Sequence, residues 1–232
     1  MFIKESYLAA NSPIHKNDFI TWDVPNWTRA LNYLERNKNQ HFENKIILEL
    51  GGSNASLSLW AASKGGRVIC SDIKNPDKAI NKESLTSKYI KYEIIDALNI
   101  PYKEHFDFIL FKSLLGGIGR SESFEKQILV MNQIKSALKK GGECLFIENI
   151  EGSIFHQIVR SRYGAGKNKW YYPNLEEFQI LSKIFRTSKY NTYGILGSSG
   201  KYLKRFRTKF DKSFDGYFPK SWRYIYTGIY KK

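Results

Sequence analysis

Apolar residues along this chain follow two alternating periods, and the changes of period mark the predicted elements. Trp27, Ala30, Leu31 and Leu34 recur at i, i+3, i+4 and i+7 after Pro25, one face of an amphipathic helix placed as a preface or lid. From Lys45 the pattern becomes short apolar runs. KIILEL (45–50) and RVICSD (67–72) read as strands buried on both faces. Gly51 and Gly52 interrupt the first run before a helix predicted over Ala55 to Ser63, which Gly65-Gly66 stops. Tyr92 to Asp96 and FDFILFKS (106–113) give a third and a fourth strand. Phe124, Ile128, Met131, Ile134 and Leu138 share one helical face, and Gly141-Gly142 close that helix before a fifth strand, ECLFIE (143–148). Strands separated by helices imply a parallel sheet with right-handed crossovers.

Beyond Asn149 the alternation loosens. Asn174 with Glu177 three residues later predicts a capping box opening a helix through Phe185. Tyr190 to Leu196 and Arg223 to Tyr230 are predicted as an antiparallel pair at one sheet edge, enclosing an insertion from about Gly197 to Trp222. The chain thus reads as one domain, divided into an N-terminal helical part (1–44), an alternating strand-and-helix core (45–150) and a final region (151–232).

Charge sharpens that division. Residues 151–232 carry 17 Lys and Arg against 5 Asp and Glu, whereas residues 1–150 carry 20 against 17. A basic last third fits a solvated surface, or a negatively charged acceptor, nucleic acid or anionic membrane surface. Cys70 and Cys144 sit in apolar runs without CxxC spacing, which predicts buried free thiols in a reducing, cytoplasmic compartment. No window approaches the ~20 apolar residues of a membrane span, so membrane contact would be peripheral.

The main chemical signal is Glu49-Leu50-Gly51-Gly52-Ser53-Asn54-Ala55 with Asp72 at the end of the next strand. A strand turning through glycine into a helix lets a ligand approach the backbone. Asp72 lies at the separation from Gly51 where a carboxylate accepts hydrogen bonds from ribose hydroxyls. A dinucleotide fingerprint, GxGxxG, fails against GGSNAS. The acidic-x-Gly-x-Gly-x-Gly frame instead takes Glu49, Gly51, Ser53 and Ala55 in order, with two glycines replaced by small residues.

Together with DALNIP (96–101), FDFILFKSLL and IKSALKKGGECLFIEN (134–149), this frame resembles the class I S-adenosylmethionine-dependent methyltransferases over roughly Lys45 to Asn149. The resemblance implies a Rossmann-like α/β fold: a mainly parallel seven-stranded sheet with an antiparallel edge strand and helices on both faces. It implies S-adenosylmethionine as cofactor and no metal. Glu49, Gly51, Gly52 and Ser53 would lie near the methionine end, Asp72 and Ile73 beside the ribose, and Asp96 and Ala97 at adenine. DVPNW (23–27), FKSLLGGIGR (111–120), the run from ENIEGS to FHQIVR (148–160) and SWRYIYTGIYKK (221–232) resemble bacterial methyltransferases of surface-polysaccharide (capsule or O-antigen) clusters. That likeness implies an anionic, carbohydrate-related acceptor, nucleotide- or lipid-linked, methylated on a hydroxyl or phosphate-type oxygen.

A sugar hydroxyl must lose a proton on methylation, which calls for a base within reach. His156, following the fifth strand, is the first candidate, with Glu148 and Glu151 as alternatives. His105 precedes the fourth strand, His15 would need the N-terminal segment to fold over the site, and His41 lies in a polar connection. Lys112 and Ser113, at the carboxyl end of the fourth strand, are expected to line the site. In KYLKRFRTKFDK (201–212), Tyr202, Leu203, Phe206 and Phe210 alternate with cations, predicting a helix with an apolar side. Packing on the domain, closing on a phosphate-bearing acceptor, contact with anionic lipid, and RNA binding all remain open for it. An RNA methyltransferase and a non-catalytic nucleoside-binding module are the alternative functions.

Overall fold

The computed structural model describes residues 20, 23–53, 56–74, 89–118, 124–163, 170–197 and 203–232. Asn54, Ala55, His15 and Tyr202 lie outside them. The described elements are α1 (Val24–Asn37), β1 (Ile46–Leu50), α2 (Ser56–Ala62), β2 (Arg67–Asp72), β3 (Ile90–Ile94), β4 (Phe106–Lys112), α3 (Leu115–Ile118), α4 (Phe124–Ala137), β5 (Leu138–Asn149), α5 (Ile154–Tyr163), α6 (Leu175–Ser182), β6 (Thr187–Tyr193), α7 (Lys204–Phe214) and β7 (Ile225–Lys231).

The seven strands form one sheet in the order β3-β2-β1-β4-β5-β7-β6. The first five pair in parallel, and β7 runs antiparallel to both β5 and β6. The predicted antiparallel pair therefore occupies one end of the sheet, with the reversed strand one place in from the edge. The order doubles back between β1 and β4, and such a switch point opens a crevice at the carboxyl ends of the strands.

Burial explains the apolar runs. Ile47 and Leu110 face one core layer with Trp27, Leu34 and Trp60, while Leu48 and Ile109 face the other with Met131, Ile134 and Phe178. α1 buries Trp27, Ala30, Leu31 and Leu34 and packs across β5, β6 and β7. It is a structural member of the first layer rather than a lid. β3 begins two residues earlier than predicted because Ile90 pairs with Val68, which leaves Asp96 in a turn beyond the strand. Leu138, predicted to end the helix, starts β5 by pairing with Phe106. The register then shifts through a bulge containing Gly141 at φ +78°. Asn174 and Glu177 form the predicted reciprocal capping box, and α6 stops at Ser182.

In the basic insertion the side of the helix that turns inward is polar. The residue α7 buries is Asp211, while Phe206 and Phe214 face outward. Asp211 Oδ1 accepts from the N–H groups of Ile195 (3.0 Å) and Leu196 (2.9 Å). Its Oδ2 accepts from Gly197 N–H (2.9 Å) and from Asn26 Nδ2 (2.8 Å) on α1. Arg29 of α1 grips Asp215 with both guanidinium nitrogens, at 2.7 and 3.0 Å. These charge-assisted bonds fasten the insertion to α1 and the end of β6.

Replacing Asp211 with Ala strands buried N–H groups and is expected to cost about 3 kcal/mol. Chemical denaturation should show this as a lowered midpoint with an unchanged slope.

Candidate cofactor and acceptor site

The turn after β1 is assembled from beneath by Glu49. Its buried carboxylate accepts from the N–H groups of Leu57 (3.2 Å) and Ser58 (2.7 Å) and from the Ser58 hydroxyl. Burial raises its pKa, and these donors partly offset the rise. Glu49 therefore caps α2 under the loop. Lys112 is drawn into the same cluster: its Nζ donates to Ser56 Oγ at 2.7 Å, and burial lowers its pKa.

Both glycines of the turn are sterically required. Gly51 adopts φ +63°, and a Cβ there would meet Leu114 Cδ1 at 2.8 Å. A Cβ on Gly52 would meet Cys70 Sγ at 2.5 Å. Ser53 keeps the left-handed geometry at φ +31°, and its N–H donates to Asp72 Oδ2 at 3.1 Å. That bond joins the two loops expected to embrace a nucleoside. Ile73 is 66% exposed beside Asp72. Asp96 is exposed too, its Oδ1 accepting from Leu98 N–H at 2.9 Å, while Ala97 is buried next to it. Open carboxylates at the ends of β2 and β3 and an exposed aliphatic surface suit a ribose and an apolar-faced base.

The loop after β4 depends on Glu148, near the end of β5. Its buried carboxylate accepts from Leu114 N–H and, at 2.9 Å, from Leu115 N–H. Burial pushes its pKa up to about 8 against the pull of these donors. Burial thus favours its neutral form relative to an exposed carboxylate. Ser113 sits at φ +52° in this loop, and its Oγ accepts from Asn149 Nδ2 at 3.3 Å. Asn149 is 6% exposed, and its Oδ1 is buried without a hydrogen-bond partner.

His156, on α5, stacks on Tyr224 with ring centroids 4.1 Å apart and planes within 7°. Burial and the nearby Arg160 drive its pKa down to about 3. Such an imidazole stays neutral and accepts a proton poorly, so the environment argues against the favoured base. Glu151 is half-buried, and its backbone, bonded to Pro173, joins the same region. His105 packs against Tyr102 and Phe106 at the amino end of β4, away from the ligand side, as expected.

One cation was missed in the sequence. Arg160, four residues past His156, donates from Nη1 to the Ile150 carbonyl at 2.9 Å and lies 3.8 Å over the Tyr172 ring. Nothing local distinguishes it from Arg162. Its position depends on the return of residues 170–173 beside α3, where Tyr171 N–H bonds Gly116 O at 3.1 Å.

Residues 48–146 match the family described as "Methyltransferase domain". A search of curated proteins gave no match. Among solved structures the chain is similar to phosphoethanolamine N-methyltransferase 2 of Haemonchus contortus, determined with phosphomonomethylethanolamine and S-adenosylhomocysteine. There the identity is 18%, the TM-score 0.61, and coverage 88% of this chain and 52% of that one. The chain thus spans about half the length of that protein. A SAM-dependent methyltransferase of Thermotoga maritima aligns at 14% identity over 90% of this chain and 91% of its own, with TM-score 0.59. One from Archaeoglobus fulgidus aligns at 13% identity over 88% and 92%, also with TM-score 0.59. The fold is the Rossmann-like class I methyltransferase fold, and the methyltransferase-domain match covers its β1 to β5 core. A further structure of that Haemonchus contortus protein was determined in complex with S-adenosyl-L-methionine.

Two outcomes test the site. Asp72→Ala should weaken S-adenosylhomocysteine binding tenfold or more by calorimetry, the loss expected for hydrogen bonds to a charged acceptor. Glu148 holds its proton more tightly folded than unfolded, so its stabilising contribution is complete below about pH 4.5 and lost as pH rises through about 8. The stability of wild type relative to Glu148→Gln should fall across that window and level off beyond it, as read by denaturation at stepped pH.

Proposed function

We propose that the chain methylates an oxygen of a small anionic acceptor, a phosphate-type oxygen on a carbohydrate-related molecule, with Arg160 binding the negative charge. The carrying observation is the Arg160 guanidinium, stacked on Tyr172 and tied to Ile150 one residue beyond Asn149. The buried, unpartnered Asn149 Oδ1 and the adjacent Ser113 hydroxyl supply polar groups where β4 and β5 end. The phosphate-bearing ligand of the Haemonchus contortus structure is in keeping with such an acceptor.

Bound S-adenosylmethionine supplies an electrophilic methyl group on a sulfonium. Asp72 would accept hydrogen bonds from the ribose hydroxyls, Ile73, Asp96 and Ala97 would lie about the adenine, and the Gly51-Gly52-Ser53 turn would admit the methionine portion. In-line alignment of the acceptor oxygen with the methyl group would then provide much of the acceleration. A hydroxyl acceptor would need a base, whereas burial biases Glu148 toward its neutral form and lowers the proton affinity of His156. A phosphate-type oxygen is already anionic and needs no proton removed. For a sugar hydroxyl, Glu151 is the remaining candidate of the three.

Incubation with labelled S-adenosylmethionine and panels of sugar phosphates, nucleotide sugars and neutral sugars should label phosphate-bearing acceptors. Arg160→Gln should raise KM at least tenfold with cofactor affinity intact. Labelling of neutral sugars, undiminished in Arg160→Gln, would overturn the proposal.

A further inference from the structure

The insertion between β6 and β7 exposes Phe206, Phe214, Tyr217 and Trp222, with Phe210 and Phe218 half-buried among them. Phe206, Phe210 and Phe214 follow one stripe of α7 at four-residue spacing, and the row continues through Tyr217, Phe218 and Trp222. Successive centroids are 6.3 Å (Phe206 to Phe210), 5.3 Å (Phe210 to Phe214), 6.3 Å (Phe214 to Tyr217) and 6.0 Å (Phe218 to Trp222), with Phe210 and Phe218 also 6.0 Å apart. Phe206 is 59% exposed and Tyr217 84%. The row meets a second exposed patch where Ser153 N–H bonds the Trp222 carbonyl at 3.0 Å, because Ile154, Phe155 and Ile158 of α5 also face solvent.

Exposed apolar patches of this kind mark interaction surfaces. Charge identifies the partner. Lys204, Arg205, Lys209, Lys212 and Lys220 are exposed around the aromatic row. Asp211 and Asp215 are the acids of residues 203–223, and both are turned inward onto Asn26, Arg29 and loop N–H groups. The outer surface of this segment therefore carries cations and aromatics without a compensating carboxylate.

We propose that this surface docks the protein on an anionic lipid bilayer, the aromatic row and the α5 aliphatics entering the interface while the lysines meet the headgroups. An amphipathic helix with a basic flank lies in the interfacial plane in this way, and each Lys or Arg near an anionic surface adds to the attraction. A single-stranded nucleic acid fits less well. The rings lean on one another, leaving no spaced faces to receive bases, and Ile154, Ile158 and Leu203 have no π-face to stack.

Co-sedimentation of the full chain with phosphatidylcholine vesicles containing roughly one-third phosphatidylglycerol tests this, with pure phosphatidylcholine vesicles and polyuridylate as the other arms. The expected result is binding to the anionic vesicles, weakened by salt and absent from the neutral ones. It should fall about tenfold or more in Phe206→Ser/Phe214→Ser and again in Lys204→Glu/Lys209→Glu. All four positions are exposed, so circular dichroism and denaturation midpoints should match wild type. Failure of wild type to bind anionic vesicles, binding undiminished in either folded double variant, or binding to polyuridylate alone would each overturn the proposal. Loss of folding in one double variant leaves the other and the wild-type salt dependence to decide.

Discussion

A strand that ends inside a protein and turns directly into a helix leaves N–H groups beyond the reach of water, and those groups need an acceptor. Two buried carboxylates meet that need here. Glu49 serves the start of α2, and Glu148 serves the loop that opens α3. The second arrangement sets Leu114 against Gly51, so the β1 and β4 loops fit each other closely at the point where the strand order reverses. With the crevice floor held from below, Asp72, Ile73 and Asp96 can remain open above it. The polar groups that build the site are thus largely separate from those offered to a ligand.

That separation also explains what the sequence could and could not convey. Apolar runs at 45–50, 67–72 and 106–113 became β1, β2 and β4 because strands buried on both faces need no alternation. The Asn174 to Glu177 box was readable because both partners lie within one helical turn. Glu49 was not readable in the same way. An acidic residue before a glycine turn looks identical whether it faces a ligand or a helix terminus, and a nine-residue span to Ser58 decides between them. Arg160 and Tyr172 meet only through tertiary folding, and neither residue's surroundings in the chain announce the stack.

The orientation of α7 shows a related limit. Periodicity reveals that a helix has two unlike faces, not which of them turns inward. Aromatics normally win the inner place. Here a single aspartate does, because one carboxylate satisfies three consecutive N–H groups at 195–197 and an amide on α1. Asn26 is 185 residues away from Asp211, so no local window of sequence contains the reason.

The place of β7 has a consequence for how the chain is made. β5 ends at Asn149, and the strand that covers its outer edge begins at Ile225, after about 75 intervening residues have left the ribosome. During that interval Cys144, Leu145, Phe146 and Ile147 would present an open, apolar hydrogen-bonding edge, the form of surface that recruits other strands. Translation speed through this stretch, and the help of chaperones while it lasts, would then govern how much of the protein reaches its native sheet.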